Sequence, residues 1–467
     1  MAKKVLLLVA ALLLFFGFRG TVSHSILVAF ALLPAGYCFS TVKLKNALDF
    51  KSAVLLAGIP MTLFCLANGR NIASYDNYGT MLTTASLVRD QRAEISAWTG
   101  QQWKGKVDCT VHVAYPVLCT KDGVYSATPL GILLLAYPSF LISHILGADL
   151  LNHHTLWRLS KWTAAWTAGL CLTLFFLVAL KIGPPKIAAL VTFLVGFASG
   201  FSAIVGQGLW SHDGVLTGLL ISLVGLFSPL PSLIGLGWGW MFASRLTSAT
   251  LIAPMGLWLL WKSPRQAAKA GIVGLLAYLP WSLCYLSLYG SPLGPQAVNV
   301  SQSQQTVFSL HQIPIGFWGL LFSPGTGFFI YQSWALLLFF YLGRKSLKGR
   351  SWIAAFLAMA GCQLLFFSSF YQWSGQFCWG TRYLVETIPL VGLILVPLLA
   401  DNWKQTRTRQ RVAALGILAL FIQINGIFLA GGEWQTHPLN ANQNMEERSL
   451  DWSDPAFLYP LPRLLHH

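Results

Sequence analysis

Charge is what this sequence has least of. Only 10% of its 467 residues are Asp, Glu, Lys or Arg, against roughly 25% in soluble proteins. Water cannot solvate a surface so poor in charge, so lipid must be the solvent for much of it. Acids are the scarcer sign, 15 against 31 bases. Several signatures are missing altogether. There is no GxGxxG, P-loop or GxSxG, which leaves nucleotide-binding and serine-hydrolase readings with little support. No CxxC or Cys/His ligand spacing occurs, so no structural zinc site is expected. Internal repeats and low-complexity segments are absent as well.

What is there is apolar. Hydrophobic residues make up 55% of the chain, and the mean hydropathy is +0.60. Candidate spans fall at 5–18, 24–41, 52–68, 159–181, 188–205, 214–229, 232–245, 248–262, 270–289, 327–343, 352–371, 383–399 and 411–430. The first could be a signal peptide, but no small-residue cleavage site precedes Arg19–Ser25, so it reads as a retained span. The expected fold is all-α, a polytopic transmembrane bundle of about 11–13 spans. One membrane domain covers 1–430, with an extracytoplasmic loop at 69–158 bearing juxtamembrane helices. A short extracytoplasmic tail covers 431–467.

The net charge of +16 admits nucleic acid as a partner, but short loops rich in Lys and Arg are the ordinary mark of the cytoplasmic side. With Lys3 and Lys4 inside, the clusters Lys43/Lys45/Lys51, Lys181/Lys186, Lys262/Arg265/Lys269, Arg344/Lys345/Lys348/Arg350 and Lys404/Arg407/Arg409/Arg411 all fall inside too. All acids but Asp49 and Asp401 then lie outside or near the outer boundary. Counting Pro129–Leu146 as a span would invert everything after it, so it is expected to lie in the outer interface; an ordinary span is the alternative. Segment 232–262 is barely long enough for two crossings, which fits two short helices meeting near Arg245, or one long span with a snorkelling Arg. The large loop holds an amphipathic stretch, Met81–Val88, that suits a membrane surface together with Trp98 and Trp103. It also holds Cys109 and Cys119, between which a disulfide is permitted if the loop is extracytoplasmic.

On this topology the unusual polar residues gather at one face: Asp76, His212 and Asp213, Arg245, and Trp379-Gly380-Thr381-Arg382-Tyr383 with Glu386 one turn on. Arginine suits bidentate phosphate recognition, and a carboxylate can act as general base on a hydroxyl. Each residue also has a plainer reading. Asp76 also suits an N-cap of the Met81 helix, and Asp213 is better read as capping 214–229. Arg382 could pair with Glu386. His212 could be a hydrogen-bonded helix-start residue. Trp379 and Tyr383 could pack or sit in an aromatic belt. The Gly325/Gly327 pair fits a tight turn where the chain enters the membrane.

Motifs in order along most of the chain resemble a known family. They are Tyr75-Asp76-Asn77-Tyr78 with Ala85-Ser86-Leu87-Val88, Asp122 to Gly131, Leu209-Trp210-Ser211-His212, Ser244-Arg245-Leu246-Thr247, Tyr289-Gly290-Ser291-Pro292, Leu321 to Gly327, and Trp379 to Tyr383. The chain resembles the GT-C superfamily of membrane glycosyltransferases, near dolichyl-phosphate-mannose-dependent mannosyltransferases and bacterial aminoarabinose transferases. The resemblance implies a polyprenyl-phosphate sugar as donor, a glycan, lipid or protein acceptor, and an acid in the first outer loop, best matched by Asp76, that activates the acceptor hydroxyl. It also implies a juxtamembrane helix after Pro129. Many relatives carry two acids close together here, whereas Asn77 follows Asp76, so use of a divalent metal stays open and no metal ligand is assigned. On this reading Arg245, Arg382 and His212 hold the phosphate, with Tyr383 and Trp379 beside the sugar. No nucleic acid is expected as a partner. The competing reading is a transporter or flippase for a polyprenyl-linked saccharide, which should show repeat symmetry and midplane charge.

Overall fold

A computed structural model describes residues 50–68, 75–95, 117–120, 123–302, 307–343, 348–375, 378–430, 434 and 444–459. The expected spans at 5–18 and 24–41, Cys109, Trp98 and Trp103 lie outside the described residues. The described chain is helical, apart from one two-stranded antiparallel hairpin. Among the described residues five helices are long and apolar enough to cross a membrane: Phe50–Ala67, His153–Ile182, Pro264–Tyr289, Ser351–Ser368 and Thr406–Ile427. Leu257, Trp261 and Leu275 are each about 70% exposed. Side chains of this kind suit a bilayer rather than water. Proline in the first turn starts the helices Pro185–Phe197, Pro231–Ser244 and Pro264–Tyr289, where its missing N–H has no partner to lose. Gly290, in the left-handed region at φ 68°, ends the last of these.

The chain divides into two compact units. One comprises Asn71–Ala164 and Gly208–Ser309, the other Met1–Arg70, Ala165–Gln207 and Leu310–His467. In the first, the helices Ser211–Phe227 and Pro231–Ser244 pack closely through glycine. A Cβ on Gly218 would lie 2.7 Å from the Gly237 carbonyl oxygen, and one on Gly225 2.8 Å from Ile234 N. Gly239, on another face of the same helix, meets Pro264–Tyr289 as closely, 2.7 Å from the Gly274 oxygen. Small residues let apolar helices approach where burial alone offers little drive between them. The segment 232–262 is indeed two helices, Pro231–Ser244 and Ala249–Lys262, broken at an extended Arg245.

The amphipathic reading of Met81–Val88 is corrected. The helix runs from Tyr75 to Asp90, and its polar residues Asn77, Thr80, Thr83, Thr84 and Ser86 are buried. Thr83 and Thr84 satisfy themselves on carbonyls of the preceding turn, at 2.9 and 2.7 Å, so polar composition does not make an exposed face. The hairpin Val117–Thr120/Gly123–Ser126 was not foreseen. Its partners run from Val117↔Ser126 to Thr120↔Gly123, and Ile95 N adds a bond to Val124 O at 2.8 Å. Cys119 is disulfide-bonded. After it the apolar run forms a short 3-10 turn, Leu130–Ile132, and a helix, Leu133–Ile145, together below the length of a span.

In the second unit the Gly325/Gly327 turn is tight, as expected, but through close approach rather than positive φ. A Cβ on Gly325 would lie 2.7 Å from Ser449 Cα, and one on Gly327 2.5 Å from the Ser323 oxygen. The contact with Ser449 belongs to the helix Met445–Ser449, so this part of the expected tail is built into the unit. Arg448 there pairs with Asp454 at 2.9 Å and lies over the buried Trp434 ring.

Candidate functional site

The first unit builds its polar centre from a helix start and a helix break. Trp210 is extended and precedes the helix Ser211–Phe227. Asp213, expected to cap a helix at 214–229, instead lies in the first turn of a helix that starts at Ser211, and reaches back to accept from Trp210 N at 3.1 Å. That cap fixes the first turn and buries His212. Gly214 in the same turn lies against Ser244, whose Cβ would be 2.8 Å from an added Cβ. Arg245 follows Ser244 directly, so its side chain reaches His212. Arg245 Nη1 is 3.1 Å from His212 Nδ1 and also contacts Nε2. A guanidinium only donates, so the ring nitrogen that accepts from it carries no proton. Gln296 secures the next residue by accepting from Leu246 N at 3.0 Å.

Asp76 is half-buried in the first turn of its helix rather than preceding it as an N-cap. One turn on, Thr80 bonds to Thr128 at 3.3 Å, and Thr128 to Ser126 at 2.5 Å. Two residues further, Leu130 N donates to the Tyr285 hydroxyl at 2.8 Å, which donates in turn to Ala243 O at 2.5 Å. Trp240 donates to Gly131 O at 2.9 Å. A continuous run of hydrogen bonds and short chain steps therefore leads from the turn after Asp76 to the residues just before Arg245.

Arg382, Tyr383 and Trp379 belong to the other unit. Arg382 lies over the Tyr383 ring, 5.0 Å from its centroid, and donates to its hydroxyl at 3.2 Å. Tyr383 stacks on Phe367 at 4.5 Å and meets Phe370 edge-on. The Trp379 ring is buried against Tyr331, and its indole N–H donates to Ile422 O at 3.2 Å. Glu386 is buried and accepts from Gln363 Nε2 at 2.7 Å; Gln363 accepts from Thr387 at 3.0 Å.

The structure thus pairs Arg245 with His212 and Arg382 with Tyr383. It puts Asp76, His212 and Arg245 in one unit and Trp379, Arg382 and Tyr383 in the other. Sequence reasoning passes over Gln363 and Lys161, both buried; the signal was a polar residue inside an apolar run, which calls for a functional explanation. Among the described residues no three or more His, Cys, Asp or Glu side chains cluster as metal ligands would. A scan against protein-family models finds no match, and a search of curated proteins finds none either.

Proposed function

We propose that the chain is a multi-pass membrane glycosyltransferase with its N-terminus in the cytoplasm and its active face outside. It moves a sugar from a polyprenyl-phosphate donor to an acceptor hydroxyl. The observation that carries this reading is the contact of Arg245 with His212 in the same compact unit as Asp76. Asp76 takes the proton of the acceptor hydroxyl as its oxygen attacks the anomeric carbon. The bond from that carbon to the phosphate oxygen breaks, and its electron pair leaves with the lipid phosphate. Arg245, with its guanidinium oriented by His212, stabilises the growing negative charge. Attack from the side opposite the phosphate inverts the anomeric centre. The expected architecture of about 11–13 spans with a juxtamembrane Leu133–Ile145 helix belongs to the same proposal.

The test is direct. Purified protein is incubated with a panel of polyprenyl-phosphate sugars and candidate acceptors, following release of lipid phosphate. Asp76→Asn with retained expression should abolish transfer; activity near that of the unsubstituted chain would remove Asp76 from the mechanism.

A further inference from the structure

The turn that joins two of the apolar helices carries three bases and no acid. Ala249–Lys262 ends on Lys262, Ser263 alone links it to Pro264–Tyr289, and Arg265 and Lys269 follow in the first two turns. All three bases are exposed. No Asp or Glu occurs between Asp213 and Glu386 in the sequence, so no acid on either helix offsets them. Among the described residues none of the three enters an ion pair. Lys262 instead lies over the exposed Trp261 ring, its Nζ 4.4 Å from the centroid. A tryptophan and a lysine together at the end of an apolar helix mark the level of lipid headgroups.

The surface beyond the charges is the second observation. Arg265, Lys269, Ile272, Leu276 and Leu283 recur at helical spacing and share one face of Pro264–Tyr289. Ile272, Leu276 and Leu283 are each about 60% exposed. From Ile272 to Leu283 this stripe runs about 17 Å, close to the ~15 Å of hydrocarbon in one leaflet. A single exposed face therefore offers positive charge and, directly beyond it, apolar surface as long as an acyl chain.

We propose that this turn binds an anionic glycerophospholipid. Arg265 takes two oxygens of the headgroup phosphate, and Lys262 and Lys269 flank it as point charges. An acyl chain lies along the stripe from Ile272 to Leu283. Three bases without an acid select against a zwitterionic lipid, whose ammonium group would meet the same cations. A small soluble anion would leave the apolar stripe unused. None of these residues takes part in the proposed sugar transfer, so the site stands or falls independently of it.

Full-length protein is placed in nanodiscs of phosphatidylcholine alone, or of phosphatidylcholine mixed equally with phosphatidylglycerol. Both are treated with an amine-acetylating reagent, and the rate at each lysine is read by peptide mass spectrometry. Lys186, exposed after a short turn between two other apolar helices and with no arginine beside it, reports the effect of surface charge in general. Phosphatidylglycerol should slow acetylation of Lys262 and Lys269 about tenfold relative to Lys186. Inorganic phosphate added to the phosphatidylcholine discs should not. Arg265→Gln, a change at an exposed position, should relieve most of the slowing. Four results overturn the proposal: no slowing, equal slowing at Lys186 (which means surface charge only), equal slowing by inorganic phosphate, or slowing that survives Arg265→Gln unchanged.

Discussion

The guanidinium of Arg245 rests against the imidazole of His212, with Nη1 3.1 Å from Nδ1. The two side chains meet because a capped helix start and a broken helix are pressed together at Gly214 and Ser244. If His212 acts through Arg245, the pair behaves as one functional element. Arg245→Ala should then lower kcat for lipid-phosphate release by about 10²–10³, and His212→Ala by less. The double variant should lose no more than Arg245→Ala alone. A double variant that multiplies the two losses would show that they act separately.

Tyr285 joins two elements through one hydroxyl, accepting from Leu130 N and donating to Ala243 O. Tyr285→Phe strips both of those buried backbone groups of a partner. It should cost about 1–3 kcal/mol, read as a lower midpoint of thermal unfolding in detergent. Transfer should slow as well, because Ala243 lies two residues before Arg245.

Two glycines make a controlled comparison. A Cβ on Gly237 would strike the Ser222 hydroxyl and lie 2.9 Å from Ser222 N, whereas one on Gly271 would meet nothing within 4 Å. Gly237→Ala should therefore destabilise by about 1–3 kcal/mol. Gly271→Ala, in the interior of Pro264–Tyr289, should be neutral or stabilise by roughly 0.5–1 kcal/mol. Unfolding curves of the two variants, measured side by side, check both signs.

Arg350 and Asp401 form a two-pronged ion pair, at 2.7 and 3.3 Å, with Asp401 exposed and Arg350 partly so. The bond to Asp401 raises the Arg350 guanidinium further above its already high range, so the arginine stays charged at any working pH. Exposure limits what the pair is worth. Arg350→Gln should change stability by less than about 1 kcal/mol, and the difference should shrink as salt is added.

Some of this architecture was legible in the sequence. Helix positions followed from apolar runs bounded by Lys and Arg, and the break at Arg245 followed from a segment too long for one helix and too short for two full spans. That Asp213 serves a helix start was legible because it depends only on neighbours in the chain, although the helix begins at Ser211 and not after Asp213. Other features depend on contacts between distant segments. Thr80, Thr83 and Thr84 look like a solvated face until their hydroxyls are seen bonded to the backbone and to Thr128. The hairpin at 117–126 is too short for periodicity to mark it. The apolar helix Ile313–Phe322, with ten residues, is too short to register as a span. Gly316 and Gly319 let it settle against Ser368 and Trp373, a fit no local pattern announces. Within the candidate site, residue types pointed to phosphate and to a base, but the pairing of Arg245 with His212 across 33 positions needed the fold.

The break at Arg245 also bears on how the chain is made. Pro231–Ser244 and Ala249–Lys262 have 14 residues each, about 21 Å of helix, short of the roughly 30 Å hydrocarbon layer. On the proposed topology, a ribosome delivers the first half before the second exists, and that half alone falls short of the length a span usually has. The two halves would enter the lipid together as a hairpin, with Arg245 at the tip. There the charge escapes the ~2.5–3.5 kcal/mol that a helix centre exacts. Membrane integration of the arginine that the proposed chemistry relies on would thus wait on the synthesis of the helix that follows it.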